Sequence, residues 1–357
     1  MPSRDPPTRP AHRDSPPQEC IDSVAYSSFR GHVAAVMRRE SHGEAGQLKT
    51  RWHAGALNNG LVFGATYHGV TRLPRWCSYG IGHVGTWLAY RLMRKGTDAL
   101  VDNLRRVRPS ANDRELQALA LRTYRSYARD TIDFIRSLEM RAEQLQSMLV
   151  GDNETALGPL LGQGRGVIVV GGHFGNWELG GIALRLLMKC PVTVVGRAEP
   201  SPAVGELRRR MRETFGIESV VIGHMLQTAL VLRRLLASNY VVGMLVDRHL
   251  GRDRIDVKFF GRQTPFLRSP ALIASLSGAP LLPATTIRQP DGRFMGWFGT
   301  PVYVDPNEPQ EDGLQHATQA IAAQLEERIR AYPHLWYQFY PYWGTDRSGS
   351  GIESRNA

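Results

Sequence analysis

Residues 166–196, "GVIVVGGHFGNWELGGIALRLLMKCPVTVVG", decide the fold. A run of β-branched apolar residues (Val167–Val170) leads into a glycine-bracketed turn. An amphipathic stretch follows, then a second β-branched run, Val192–Val195. Strand, helix and strand in this order make a βαβ unit, which builds a parallel sheet. The rhythm continues downstream through "AVGELRRRMRETFG", "SVVIG", "MLQTALVLRRLLAS" and "YVVGMLVD". Further strands are expected at "IDVKFF" (255–260), "PLLPATTIR" (280–288) and "GWFGTPVYV" (296–304), and a closing helix through "LQHATQAIAAQLEERIRAY". The predicted class is α/β, a central, mostly parallel sheet flanked by helices.

Upstream the period changes. "ANDRELQALALRTYRSYARDTIDFIRSL" places Asn112 three residues before Glu115, the spacing of a capping box, and repeats apolar residues at three- and four-residue steps. The region from about 54 to 150 therefore reads as helical. Within it, "AGALNNGLVFGATYHGVT" (54–71) and "WCSYGIGHVGTWLAY" (76–90) lack charge but are diluted by Gly, Asn, His, Ser and Thr. They suit helices lying on a membrane or a buried pair better than spans of about 20 apolar residues. Residues 1–51 are polar, with a Pro- and Arg-rich start, and are expected to form a disordered extension. Residues 52–343 are expected to form one domain, helical and membrane-facing over 52–150 and α/β over 151–343. A flexible tail is expected at 344–357.

The 357 residues carry a formal charge of +11, with 44 Lys and Arg against 33 Asp and Glu. All the lysines are Lys49, Lys95, Lys189 and Lys258, so the charge is mostly arginine. That balance favours acidic partners, a nucleic acid or an anionic membrane. Basic runs such as "RRVR" (105–108) and "RRRMR" (208–212) lack interleaved aromatics, which argues against nucleic acid. The three cysteines, at 20, 77 and 190, are scattered and make neither a disulfide framework nor a zinc knuckle.

In an open α/β sheet, reactive groups stand at the carboxyl ends of the strands. His173 follows "GVIVVGG", Arg197 follows "PVTVVG", and Asp247 with Arg248 follows "YVVGMLV". Within one helix, His173 and Glu178 would lie about 140° apart. They meet only if the histidine sits in the loop and the glutamate in the first helical turn. Two readings stay open: a general base with an orienting carboxylate, or a histidine capping the helix while Glu178 complements its dipole. The glycine amides and helix N-terminus would offer donors to an oxyanion. Asp247 has a structural alternative, pairing with Arg248 or a nearby loop. Arg268 is a candidate for anion contact. "GQGRG" precedes a strand, so a dinucleotide loop is disfavoured, and no nucleophile elbow or His-Glu-x-x-His motif is present. No further ligand lies at useful spacing from His173, so no metal is expected.

"GGHFGNWE" resembles the signature block of the bacterial lipid A (lauroyl/myristoyl) acyltransferases, a family that includes the phosphatidylinositol mannoside acyltransferases. Three further segments agree in order: "VVGRAEPSPAVGELRRRMRETFGI", "VVGMLVDRHLGRDRIDVKFFGRQTPFLRSPALIASLSGAPLLPA" and "ATQAIAAQLEERIRAYPHLWYQFY". The resemblance covers about 60–343. It implies an O-acyltransferase that moves a fatty acyl group from an acyl carrier protein or coenzyme A thioester to a hydroxyl of a glycolipid or lysophospholipid. His173 is then the base and Glu178 its partner. Gly175, Asn176, Arg197, Asp247, Arg248 and Arg268 are expected to bind substrate. No cofactor beyond the thioester co-substrate is implied. The expected setting is a monomer, peripheral on the cytoplasmic face of the inner membrane, with an anionic lipid acceptor. The first fifty residues are polar where lipid A enzymes have a membrane-inserted helix, and "WYQFYPYW" (336–343) is uncharged where they end in a basic cluster. "LVDRHL" and "VKFFG" look closer to the phosphatidylinositol mannoside branch, and the acceptor stays open. A thioester hydrolase using the same histidine, and a non-catalytic lipid- or carrier-binding protein, are the alternatives.

Overall fold

The computed structural model describes residues 60–151, 153–196, 202–222, 225–249 and 251–344. The expected extension over 1–51, the tail beyond Gly344 and Arg197 lie outside them.

Among the described residues five helices come first: α1 (Gly60–Arg72), α2 (Arg75–Leu92), α3 (Arg94–Val107), α4 (Asp113–Ser137) and α5 (Ala142–Ser147). The capping box on α4 is formed, with Asn112 accepting from the Glu115 amide at 3.0 Å and Glu115 accepting from the Asn112 amide at 2.9 Å. Two orphan donors are thereby satisfied where the helix starts. Short β1 (Leu149–Val150) and α6 (Asn153–Leu161) lead to the α/β part.

That part runs β2 (Val167–Gly171), α7 (Trp177–Met188), β3 (Val192–Gly196), α8 (Pro202–Thr214), β4 (Ile217–Val221), α9 (Met225–Ala237) and β5 (Val241–Leu245). A hairpin follows, β6 (Ile255–Phe259) and β7 (Arg262–Phe266), then α10 (Ser269–Ser277), β8 (Leu281–Arg288), β9 (Phe294–Phe298) and α11 (Gln310–Ala331). The seven-stranded sheet has the order β1-β9-β8-β2-β5-β3-β4. Only the β8–β9 pairing is antiparallel. The expected α/β class is therefore the observed one. Val167, Ile168 and Val170 of β2 and Val241 and Val242 of β5 have no solvent exposure. Their β-branched side chains meet helices on both faces, as in any parallel sheet built from βαβ units.

One local expectation is corrected. The strand expected at 296–304 is Phe294–Phe298, because Pro301 has no N–H for a ladder and Val302 makes only a bridge to Leu281. The segment after "IDVKFF" returns as β7, around a two-residue turn in which Phe260 and Gly261 both have positive φ (50° and 76°).

The helical part is fastened to the sheet by buried charge. Arg288 on β8 pairs with Asp130 and Asp133 on α4, and Arg75 on α2 reaches Asp133 at 3.0 Å. Tyr79 adds hydroxyl donation to Asp133 at 2.7 Å. Burial pushes the Asp130 carboxyl up, against the opposing pull of Arg288 and the Tyr337 hydroxyl. The outer side of α2 is different. Trp76, Ile81, Val84, Trp87, Leu88 and Leu92 lie exposed along it, with Trp76 76% and Leu92 77% accessible.

Candidate active site

Register places the central pair. β2 and β5 are parallel neighbours with Gly171 opposite Leu245. Two residues beyond these paired ends stand His173 and Asp247, so their side chains meet at the carboxyl edge of the sheet. His173 Nδ1 lies 2.7 Å from Asp247 Oδ1, and the His173 amide donates to Asp247 Oδ2 at 2.9 Å. Backbone and ring of the histidine are thus held by one carboxylate.

The Asp247 side chain is fully buried and the His173 side chain one-fifth exposed. Burial disfavours the carboxylate, but His173, Arg248 and the hydrogen bonds outweigh it and hold Asp247 down at about 2. Burial, with Arg248 and more weakly Arg208, lowers the His173 pKa against the pull of Asp247. The pair is therefore an ionised carboxylate and a neutral imidazole at neutral pH. An acceptor-only carboxylate selects the tautomer with the proton on Nδ1 and the lone pair on Nε2. Nε2 has no hydrogen-bond partner among the described residues. The Trp177 ring packs edge-on against the imidazole at 5.4 Å.

Glu178 sits in the first turn of α7, as the sequence reading requires, yet the hydrogen bond expected between it and His173 is replaced by the one from Asp247. Its carboxylate faces α8, where Arg208 Nε lies 3.2 Å and Arg212 Nη2 3.3 Å away. Geometry explains the difference. The loop after β2 turns the imidazole across the sheet edge towards β5, whereas a side chain in the first turn of α7 points to the helix beside it.

The turn itself is closely packed. Gly175 has φ +60°, and a Cβ there would lie 2.2 Å from the Thr286 carbonyl oxygen. Asn176 is buried, and its side chain caps α7 through the Leu179 amide at 3.2 Å and donates to the Asp130 carbonyl at 3.1 Å. Both residues shape the loop. The expectation that its amides receive an oxyanion does not hold for residues 173–176. His173 N–H goes to Asp247, Phe174 to Gly172, Gly175 to Leu335 and Asn176 to Thr286.

Arg248 stands beside the pair. It donates to Gln338 Oε1 at 3.2 Å and the Tyr337 carbonyl at 3.0 Å, with its guanidinium 5.4 Å from the Tyr340 ring centre. Arg268 precedes α10 and pairs with Glu311 on α11, away from the contacts of His173. Among the described residues no group of three or more His, Cys, Asp and Glu could hold a metal ion.

Sequence reasoning missed the terminal segment. Asp247 Oδ2 also accepts from Gln338 Nε2 at 2.8 Å and Trp336 Nε1 at 3.3 Å, and the Tyr342 hydroxyl donates to the Asp247 carbonyl at 2.7 Å. The Tyr337 amide reaches the His173 carbonyl at 2.9 Å. The aromatic "WYQFYPYW" is thus the wall behind the histidine–aspartate pair.

With this geometry in place, comparison with known proteins is decisive. The model of the bacterial lipid A biosynthesis acyltransferases matches residues 53–345. The chain belongs to this family. Among individual members it is 30% identical over 305 residues to a phosphatidylinositol mannoside acyltransferase of Mycobacterium tuberculosis, covering 83% of this chain and 90% of the relative. A phosphatidylinositol mannoside acyltransferase of Mycolicibacterium smegmatis is 28% identical over 308 residues, 84% and 96% of the two chains. As a family member the chain is an acyltransferase of lipid biosynthesis. The family match spans the helical and α/β parts alike, and it includes both strand ends that carry His173 and Asp247.

Proposed function

We propose that this acyltransferase moves a fatty acyl group from an acyl carrier protein or coenzyme A thioester to a hydroxyl of a phosphatidylinositol mannoside-type glycolipid or a lysophospholipid. One observation carries the reading: His173, oriented by buried Asp247, keeps Nε2 without a described hydrogen-bond partner at the carboxyl edge of the sheet. Nε2 takes the proton of the acceptor hydroxyl as its oxygen attacks the thioester carbonyl carbon. The C–S bond then breaks, and the imidazolium returns its proton to the departing thiolate. Asp247 holds the ring and stabilises the imidazolium. Glu178 serves by holding Arg208 and Arg212, whose combined charge exceeds its own and leaves a basic flank for a phosphorylated substrate.

The reading puts this work at a membrane surface. No described helix is long and apolar enough to cross a bilayer. The exposed side of α2 is apolar, and residues 60–97 contain no Asp or Glu while Arg72, Arg91, Arg94 and Lys95 rim it. A helix of this kind lies in the headgroup region of an anionic bilayer. The inner leaflet of the cell membrane is the surface proposed.

The test supplies radiolabelled acyl thioester with vesicles containing phosphatidylinositol mannoside. Label is expected in the glycolipid, and His173→Ala is expected to abolish it. Full-rate transfer by that variant would end the reading. Free fatty acid formed at a rate no acceptor lipid suppresses would replace it by a hydrolase.

A further inference from the structure

Gln338 bridges two charged neighbours, Asp247 and Arg248. It is wholly buried in the segment after α11. Its Nε2 donates to Asp247 Oδ2 at 2.8 Å, and its Oε1 accepts from Arg248 Nε at 3.2 Å. A carboxylate can only accept and a guanidinium only donate, so one amide orientation satisfies both. Among side chains of this length, an uncharged amide alone presents a donor to one and an acceptor to the other. Arg248 follows Asp247 directly in the chain, and its guanidinium is held by the Gln338 amide oxygen, the Tyr337 carbonyl and the Tyr340 ring. A guanidinium on Asp247 would take up the oxygens that now receive the His173 ring and amide.

We infer that Gln338 is a positioning residue that keeps Arg248 off Asp247 and so reserves that carboxylate for His173. The inference rests on the reading of His173 as the base. The groups facing the pair are Arg248 on the same loop, Arg208 on α8, Trp177 on α7, and Trp336, Tyr340 and Tyr342 of the terminal segment. The Gln338 side chain hydrogen-bonds both Asp247 and Arg248.

The experiment is a nitrogen-15 NMR titration of histidine-labelled full-length protein, with the His173 signal assigned by its loss in His173→Gln. In Gln338→Leu the His173 pKa is expected to fall by about one unit, because Arg248 turns to Asp247. Adding Arg248→Met to Gln338→Leu is expected to return it to the wild-type value or above. The isosteric Gln338→Glu, which preserves packing should the leucine variant fail to fold, is expected to raise it by about one unit. In acyl transfer, Gln338→Leu is expected to lower kcat about tenfold with KM nearly unchanged. A lower melting temperature with a His173 titration that matches wild type in both single variants would overturn the inference and leave Gln338 a packing residue. A double variant that stays as low as Gln338→Leu would also overturn it. The titration reads the pair without substrate, so the inference can fail while acyl transfer by His173 stands, and the reverse.

Discussion

The imidazole at position 173 is defined by what holds it. One carboxylate takes the ring proton and the backbone amide of the same residue, so ring orientation and loop position are fixed together. Glu178 makes no described hydrogen bond to that ring, so Glu178→Gln is expected to leave the acid limb of the kcat profile in place. Its effect falls on the melting temperature, through the loss of charge facing Arg208 and Arg212, and on KM for phosphate-bearing substrate. Gly175 is a second fixed point. Gly175→Ala adds a Cβ 2.2 Å from the Thr286 carbonyl oxygen at a left-handed φ. We expect a loss of roughly 2–4 kcal/mol in denaturant unfolding.

At the scale of elements, β2 and β5 place the pair, and α2 is the element proposed to dock on the membrane. Substituting Trp76 and Trp87 together by serine is expected to reduce binding to anionic vesicles at least tenfold in sedimentation. Catalysis on detergent-dispersed acceptor is expected to persist, since both side chains point away from the body. The strand–helix alternation was legible in the sequence because buried parallel strands need unbroken β-branched runs. The α4 cap was legible because its chemistry is local. The histidine's partner was not read from residue types, since a glutamate five residues away and an aspartate 74 residues away are equally plausible by composition. One count was available: Val167 to His173 and Val241 to Asp247 are both six steps, and adjacent parallel strands in register bring equal counts side by side. The Trp336 and Gln338 contacts had no such signal, because a segment without a period reveals nothing of where it lies.

For the whole molecule, the pair ties stability to pH. The Asp247 carboxyl is held down from its usual 3.8 to about 2 on folding, so its contribution, roughly 2 kcal/mol, is present above 3.8 and lost as pH falls through 2. His173 has a folded pKa below its usual 6.5, so it adds destabilisation as pH falls below 6.5. Both groups act in one direction, and chemical denaturation midpoints are expected to fall on acidification. The proposed base works as the neutral imidazole, so on that proposal kcat rises with pH to a plateau, with its midpoint below 6.5. The rate of acyl transfer by Asp247→Asn across that pH range, with His173→Ala as the floor, tests the histidine–aspartate base most directly. The expected result is a kcat lower by about 10²–10⁴, because the amide can favour the wrong imidazole tautomer. An Asp247→Asn enzyme with wild-type kcat and an unmoved acid limb would contradict it.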